Sequence, residues 1–166
     1  MKQSHMFILV ILLSVAMLPM NAQVTAQTSR GENFNQGIYG LGFSGGAASG
    51  VGVSLRYHLV DKSSFQIVGG IFRPKSTDTF VSLGAEYQRD LVRSNSSRYY
   101  FCVASSYIYN GDSTNSVVAP FRAGTGLGGE FLVQEGVHFT FQALFTYFSD
   151  GTILPLPQLS FHYYFY

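Results

Sequence analysis

The chain has 166 residues, of which 46% are hydrophobic and 11% are charged, and its formal net charge is +1. A soluble domain typically carries about 25% charged residues, so the composition indicates that something other than water covers part of the surface. The length allows one domain. With Lys2, Lys62 and Lys75 as the only lysines, the chain lacks the basic clusters of a nucleic-acid-binding protein.

The first 26 residues have the three parts of a secretory signal peptide. Lys2 is positively charged, residues 7–18 are apolar, and residues 24–26 form a small-residue cleavage pattern, with cleavage after Ala22 as the alternative. A transmembrane helix is disfavoured because it needs about 20 apolar residues and Pro19 ends the run early. Cleavage leaves residues 27–33 as a short polar lead. Cys102 is the only cysteine, so the exported chain has no intramolecular disulfide.

Eight segments of period-two alternation follow the lead, and each predicts a β-strand. In order they are residues 34–44, 50–60, 65–72, 79–89, 98–110, 117–132 and 137–148, and a last strand that contains residues 157–166. Turn segments rich in Gly, Ser, Asn and Asp separate them, at 45–49, 61–64, 73–78, 90–97, 111–116, 133–136 and 149–153. No segment has helical periodicity. The fold class predicted is therefore all-β, in a single domain.

The last strand is long and aromatic, with Leu159, Phe161, Tyr163 and Phe165 on one phase. It resembles the closing strand of bacterial outer-membrane β-barrels, which pairs with the first strand and carries the signal for the barrel assembly machinery. Residues 34–166 as a whole resemble the small eight-stranded OmpA/OmpX-like barrels of Gram-negative bacteria. The resemblance implies an antiparallel up-and-down transmembrane barrel with both termini in the periplasm. It also implies contact with outer-membrane lipid and lipopolysaccharide, and extracellular loops at 45–49, 73–78, 111–116 and 149–153.

The choice of charged and polar residues favours a barrel in lipid over a secreted lipocalin-like barrel, whose polar phase would face water. The polar phase consists of Gly, Ser, Thr and Gln with scarcely any Lys, which suits a narrow interior better than a soluble surface. Most charges, Asp90 and Arg93 among them, are expected in turns, and the others on the polar phase. Arg or Lys at the lipid midplane costs about 2–4 kcal/mol, so we expect no charge mid-strand on the apolar phase.

Seven tyrosines fall on the apolar phase where the strands approach the membrane interfaces. They predict an aromatic girdle, with packing against neighbouring side chains as the alternative explanation. The seven are Tyr39, Tyr57, Tyr87, Tyr99, Tyr107, Tyr109 and Tyr147.

Polar side chains on the inward phase predict one hydrogen-bonded cluster in the periplasmic half of the lumen. Arg122 is expected higher and apart. Because buried charges must be paired wherever they occur, a plug that fixes the barrel is favoured over a catalytic or conducting role. The predicted members are Arg56, His58, Gln66, Glu86, Gln88, Glu130, His138 and His162.

Three classes of function fit a small outer-membrane barrel. A lipid-modifying enzyme needs Ser, His and an acid near the lipid-facing wall, and the histidines of the mature chain all lie on the inward phase. An adhesion or surface-recognition barrel needs more loop surface than these short loops offer. The sequence therefore predicts a structural barrel, with slow passage of small solutes or ions as its transport form. No catalytic residue or cofactor is expected, and no metal site, because the histidines and Cys102 lack ligand spacing.

Overall fold

The computed structural model describes residues 37–73, 79–94, 96–111, 117 and 119–165. These residues form a closed barrel of eight antiparallel strands, each paired with its neighbours in sequence, and β8 pairs with β1. The predicted all-β, eight-stranded up-and-down barrel is confirmed. The predicted signal peptide and lead, residues 1–33, lie outside the described residues. The strands are β1 Ile38–Gly46, β2 Gly50–His58, β3 Ser63–Phe72, β4 Thr79–Arg93, β5 Ser97–Gly111, β6 Phe121–Gln134, β7 Val137–Phe148 and β8 Ile153–Phe165.

The barrel closes through the strand that the aromatic alternation predicts. In the β1–β8 register Tyr39 lies opposite Phe165 and Gly45 opposite Leu159. We call the end of the barrel that carries Ile38 and Phe165 the lower end, and the other the upper end. The β2–β3, β4–β5 and β6–β7 turns lie at the lower end, and the remaining connections at the upper end. No helix long and apolar enough to cross a membrane occurs among the described residues.

The two faces of the sheet have the reverse of a soluble protein's chemistry. The largest fully buried side chains are mainly polar and include Arg56, Arg98 and Glu130. The outer face carries exposed Leu, Ile, Val, Phe and Tyr on every strand; Phe43, for example, is 68% exposed. Successive side chains of a strand point to opposite faces, so the period-two pattern alone places the polar side chains on one face and the apolar side chains on the other.

The β4–β5 hairpin extends further at the lower end than the sequence predicts. Residues 90–97 were expected as a turn, but β4 continues to Arg93 and β5 begins at Ser97. The placement of Asp90 and Arg93 in a turn is wrong, because both lie in β4. Asp90 is buried, and its carboxylate accepts a hydrogen bond from Arg98 of β5 at 2.7 Å. A register shift between Asp90 and Val92 keeps the hairpin paired beyond this point.

This extension also places one charge on the outer face. Arg89 is exposed on β4, at the position where the predicted strand four ends, whereas the expectation excluded charges only from the middle of the apolar phase. It lies beside the β2–β3 turn, where its guanidinium donates to the Asp61 carbonyl at 2.7 Å and to the Ser63 hydroxyl at 2.8 Å. The charge therefore stands at the lower end of the outer face and not in its middle.

The remaining boundaries shift by a few residues. Strand six was predicted at 117–132, and the structure has β6 at Phe121–Gln134. The last strand, β8, begins at Ile153 and includes Pro155 and Pro157. In the β7–β8 turn the Thr152 amide donates to the Asp150 carboxylate at 2.9 Å, which lowers the pKa of that carboxyl group. Of the other predicted upper connections, residues 74–78 and 112–116 lie outside the described residues.

The β1–β2 turn departs most from its predicted form as an extracellular loop. The chain does reverse at residues 47–49, but Ala48 and Ser49 are fully buried inside the barrel. The Ala47 carbonyl accepts a hydrogen bond from the Ser106 hydroxyl of β5 at 2.8 Å, on the opposite side of the lumen. This turn therefore fills the upper lumen instead of projecting from the rim.

Candidate functional site: the polar lumen

The carboxylate of Glu130 is the centre of the lower lumen. One oxygen, Oε2, accepts from Arg56 Nη1 at 2.6 Å and from Arg98 at 2.6 Å (Nη2) and 2.8 Å (Nε). The other, Oε1, accepts from the Tyr164 hydroxyl at 2.7 Å and lies 3.2 Å from Nδ1 of His138. A buried carboxylate needs this number of donors because each unmet lone pair carries a desolvation cost.

Arg56 ties four strands to Glu130. Its Nε donates to the Gln66 side-chain oxygen at 2.9 Å, and its Nη2 contacts the same oxygen. Nη1 also donates to Thr140 Oγ1 at 3.1 Å, and Nη2 to Ser160 Oγ at 3.2 Å. A planar guanidinium with five N–H groups matches this fan of acceptors, which a lysine could not serve.

Arg98 is the second cation of the site and was not among the predicted residues. Its Nη1 donates to Asp90 at 2.7 Å and to the Ser64 hydroxyl at 3.2 Å, and Nη2 donates to the Gln88 side chain. Its guanidinium carbon lies 4.5 Å from the centre of the Tyr100 ring. Arg98 shares its strand parity with Tyr100, which is the sequence signal that would have placed it inside.

His58 connects Ser64, which accepts a hydrogen bond from Arg98, to Tyr164, which donates one to Glu130. Its Nδ1 is 2.6 Å from Ser64 Oγ, and its Nε2 is 2.7 Å from the Tyr164 hydroxyl. Tyr164 and Ser64 are further members that the prediction missed, since an aromatic or a serine near a strand end carries no distinctive pattern. With His58, Tyr164 and Glu130 in one chain of hydrogen bonds, the lower lumen is a single connected unit.

Glu86 occupies the upper edge of this unit. Gln88 Nε2 donates to its Oε1 at 2.6 Å, and Gln142 Nε2 contacts the same oxygen while also lying 2.9 Å from the Tyr100 hydroxyl. The second oxygen, Oε2, is buried and has no hydrogen-bond partner among the described residues. Glu86 is thus joined to the network through amides and not through an arginine.

The structure brings seven of the eight predicted lumen residues into this network. The eighth, His162, is buried one layer away, with Nε2 at 2.8 Å from Ser54 Oγ. Arg122 lies apart near the upper end, where its Nε donates to the Ala119 carbonyl at 3.3 Å and its guanidinium carbon is 5.0 Å from the centre of the Phe148 ring. Above Tyr100, Cys102, Ala104 and Leu144 form an apolar cluster with Ala48.

The seven predicted girdle tyrosines all point to the outer face, and none is buried. Tyr39, Tyr57, Tyr87 and Tyr99 lie towards the lower end, and Tyr107, Tyr109 and Tyr147 towards the upper end. Some also pack against each other or on neighbours: the rings of Tyr39 and Tyr57 stack with centroids 4.3 Å apart. The tyrosines thus lie near the two ends of the outer face, with apolar residues between them.

Comparison with protein-family models, with curated proteins and with solved structures finds no match to this chain.

The chemistry of the lumen is that of a closed ionic core. In the part of the chain that the structure describes, Ser64 contacts His58 and Ser54 contacts His162, and these four side chains are buried. Among the described residues no group of His, Cys, Asp or Glu is arranged to hold a metal ion. The arrangement supports cross-linking of the barrel wall and blockage of the lumen.

Proposed function

We propose that this chain is an integral outer-membrane β-barrel of a Gram-negative bacterium, of the OmpA/OmpX-like type, with a structural role. The observation that carries the proposal is that charged and amide side chains fill the inside of the barrel, while apolar side chains are exposed on its outside. In water such an outer face would be an aggregation surface, because soluble monomers rarely expose apolar patches larger than a few hundred Å². In a bilayer the same face is the one that the lipid requires.

The height of the apolar face supports a membrane crossing. On β5 the outward side chains run from Tyr99 to Tyr109, and the intervening outward residues are apolar apart from the hydroxyl-bearing Ser105 and Tyr107. Ten residue steps at about 3.3 Å give about 33 Å along the strand. With the tilt of about 40° that such barrels have, this is about 25 Å of height, which equals the apolar band of outer-membrane barrels.

The closed lumen supports a structural role over transport. Glu130, Arg56 and Arg98 are fully buried and paired, and the β1–β2 turn fills the space above them. Passage of a solute would require both obstructions to move. Ion passage is therefore proposed only as a minor activity of a barrel whose resting state is sealed.

No enzymatic activity is proposed, because Ser64 and Ser54, which contact His58 and His162, are buried. Surface recognition is the alternative function, and it would use the upper connections. The partners proposed are outer-membrane lipid and lipopolysaccharide, with the barrel assembly machinery during biogenesis. The start of β1 and the end of β8, and with them both termini, then lie on the periplasmic side, at the lower end.

The test is a pair of arginine substitutions on the outer face of the barrel. Leu83 is 61% exposed within the apolar face of β4, and Val92 is 62% exposed below Arg89 at the lower end. In lipid vesicles Leu83→Arg is expected to lower the free energy of unfolding by about 2–4 kcal/mol, and Val92→Arg by at most about 1 kcal/mol. Folding is followed by heat-modifiable gel mobility after urea titration.

The comparison between vesicles and water decides the proposal. The parent protein should fold in vesicles, resist extraction by alkaline carbonate and aggregate when lipid is withheld. Equal effects of the two arginine substitutions, or a folded monomer in buffer without lipid or detergent, would refute the membrane assignment.

A further inference from the structure

The β1–β2 turn closes the upper lumen from within. Ala48 and Ser49 are fully buried, and Ala48 packs in one cluster with Ala104 and Leu144, which belong to β5 and β7. The β1–β2 ladder ends at the Gly46–Gly50 pair, so residues 47–49 take no part in the strand ladders. The turn therefore leaves the barrel wall and crosses the lumen.

The turn is anchored by a few side-chain hydrogen bonds. The Ser106 hydroxyl donates to the Ala47 carbonyl at 2.8 Å. The amide of Ser49 donates to the Gln158 side-chain oxygen at 3.2 Å, and the Ser49 hydroxyl contacts the same oxygen. Each bond is made to a serine or glutamine side chain that water could replace, and residues 47–49 take no part in the ladders, so release of these three residues would break no strand pairing.

Two glycines on the barrel wall provide the space for the turn. A Cβ atom on Gly84 of β4 would lie 2.0 Å from the Ser49 carbonyl oxygen, and one on Gly124 of β6 would lie 2.7 Å from the Ala48 methyl. Any side chain at Gly84 would meet backbone and force the turn to shift. The wall is thus shaped to hold the turn in its inward position.

The first residues of β2 include two glycines with positive φ. Gly50 has φ of 93° and Gly52 has φ of 144°, values that L-residues rarely adopt. Between them the Val51 amide donates to the Ser82 hydroxyl at 2.9 Å and not to the neighbouring strand β3. Pairing of β2 with β3 begins only at Val53, which lies opposite Gly69.

The strand on the other side of the turn is prevented from pairing with it. Residues 153–158 of β8 pair with β7, and β1 has left the wall at their height. The Tyr164 amide donates to the carbonyl of Gly136, the residue before β7, so the even-numbered residues of β8 direct their backbone groups towards β7. Because these groups alternate in direction along a strand, the odd-numbered residues direct theirs towards β1. Pro155 and Pro157 are odd-numbered and have no N–H to donate. The β8 edge therefore does not compete for the turn.

We propose that the β1–β2 turn is a displaceable plug, which moves outward about Gly50 and Gly52 and opens the upper lumen to water. The polar network around Glu130 then remains as a second closure below it. The identity of the compartment at the upper end rests on the proposed membrane function, but the movement itself does not.

The experiment measures how fast a cysteine on the turn reacts with a membrane-impermeant maleimide. Ala48→Cys is introduced with Cys102→Ser, and the folded barrel is labelled in detergent micelles. Adding Gly84→Ala, which removes the space for Ser49, is expected to raise the labelling rate at least tenfold. Gly69→Ala is the matched control, because a Cβ there has nothing within 4 Å, and it should leave the rate unchanged.

Each outcome separates the plug from a fixed turn. If the Gly84→Ala barrel folds, by heat-modifiable mobility, and Ala48→Cys reacts no faster than in the parent, the turn is not displaceable. If Gly84→Ala does not fold, Ser106→Ala with Gln158→Leu removes the anchors without added bulk, and an unchanged rate there refutes the proposal equally. Because labelling is done in micelles, failure of vesicle insertion would refute the membrane function alone.

Discussion

Arg56 of β2 and Glu130 of β6 form a hydrogen-bonded ion pair across the lumen, with 2.6 Å between Nη1 and Oε2 and both side chains fully buried. Their strands are not neighbours in the sheet. The pair therefore links opposite parts of the barrel wall that no backbone hydrogen bond joins. Removing Glu130 would leave the Arg56 charge in the interior without its carboxylate partner.

Glu130→Gln is expected to lower the free energy of unfolding by about 3–5 kcal/mol, since two arginines lose their common carboxylate. Urea unfolding in vesicles, followed by circular dichroism, measures the change. Arg122→Met is the control, because its Nε donates to the Ala119 carbonyl over a long 3.3 Å and the residue is partly exposed. Its cost should stay below about 1 kcal/mol. Equal costs would show that the Glu130 network is not a stabilising centre.

Arg98→Lys tests whether the geometry of the guanidinium matters beyond its charge. An ammonium cannot serve Glu130, Asp90 and Gln88 together, so we expect a loss of about 1–3 kcal/mol in the free energy of unfolding. Arg89→Lys on the outer face keeps an exposed charge and should change it by less than about 0.5 kcal/mol. If Arg98→Lys left the free energy of unfolding unchanged in the same urea titration, the hydrogen-bond network around Arg98 would not stabilise the barrel.

Gly128→Ala tests the packing around Tyr100. The added Cβ would lie 2.6 Å from the Tyr100 ring, so the ring must move from Arg98 and Gln142, at a cost of about 1–3 kcal/mol. Gly45→Ala adds the same methyl group to the outer face, where nothing lies within 4 Å. Thermal unfolding of the two variants in detergent should separate them, and a lower midpoint for Gly45→Ala would reverse the expected order.

Planar-bilayer recording tests the two closures of the lumen. The folded parent should give no discrete openings, because the ion network and the turn obstruct the lumen in series. Gly84→Ala and Glu130→Gln each weaken one closure and should remain silent alone, whereas the double variant should open. Discrete openings of the parent barrel would identify it as a constitutive pore.

The strand pattern was predictable because alternation needs only local sequence. Every strand from β1 to β8 matches a predicted segment, and the inward charges Arg56, Glu86 and Glu130 follow from parity alone. Asp90 was missed because it stands in a polar run that imitates a turn, and Arg98 because it is the first residue of the predicted strand that follows this run. Leu91 and Val92 within that run were the signal that β4 continues.

The inward β1–β2 turn could not be predicted from its own residues. Residues 45–49 are Gly, Gly, Ala, Ala and Ser, which suit an exposed loop equally well. What holds the turn inside is the absence of side chains at Gly84 and Gly124, on strands far away in sequence. The space for the turn depends on residues distant in sequence, whereas the alternation of a strand can be read from the strand itself.

The hydrogen bond from Tyr164 to Glu130 has a consequence for how the barrel is made. Glu130 belongs to the sixth strand, but one of its donors arrives only with the eighth, and others come from β2 and β5. An incomplete sheet would carry an uncompensated carboxylate, so partial barrels gain little from forming early. The interior charge thus acts as a checkpoint that favours an all-or-none closure of the sheet.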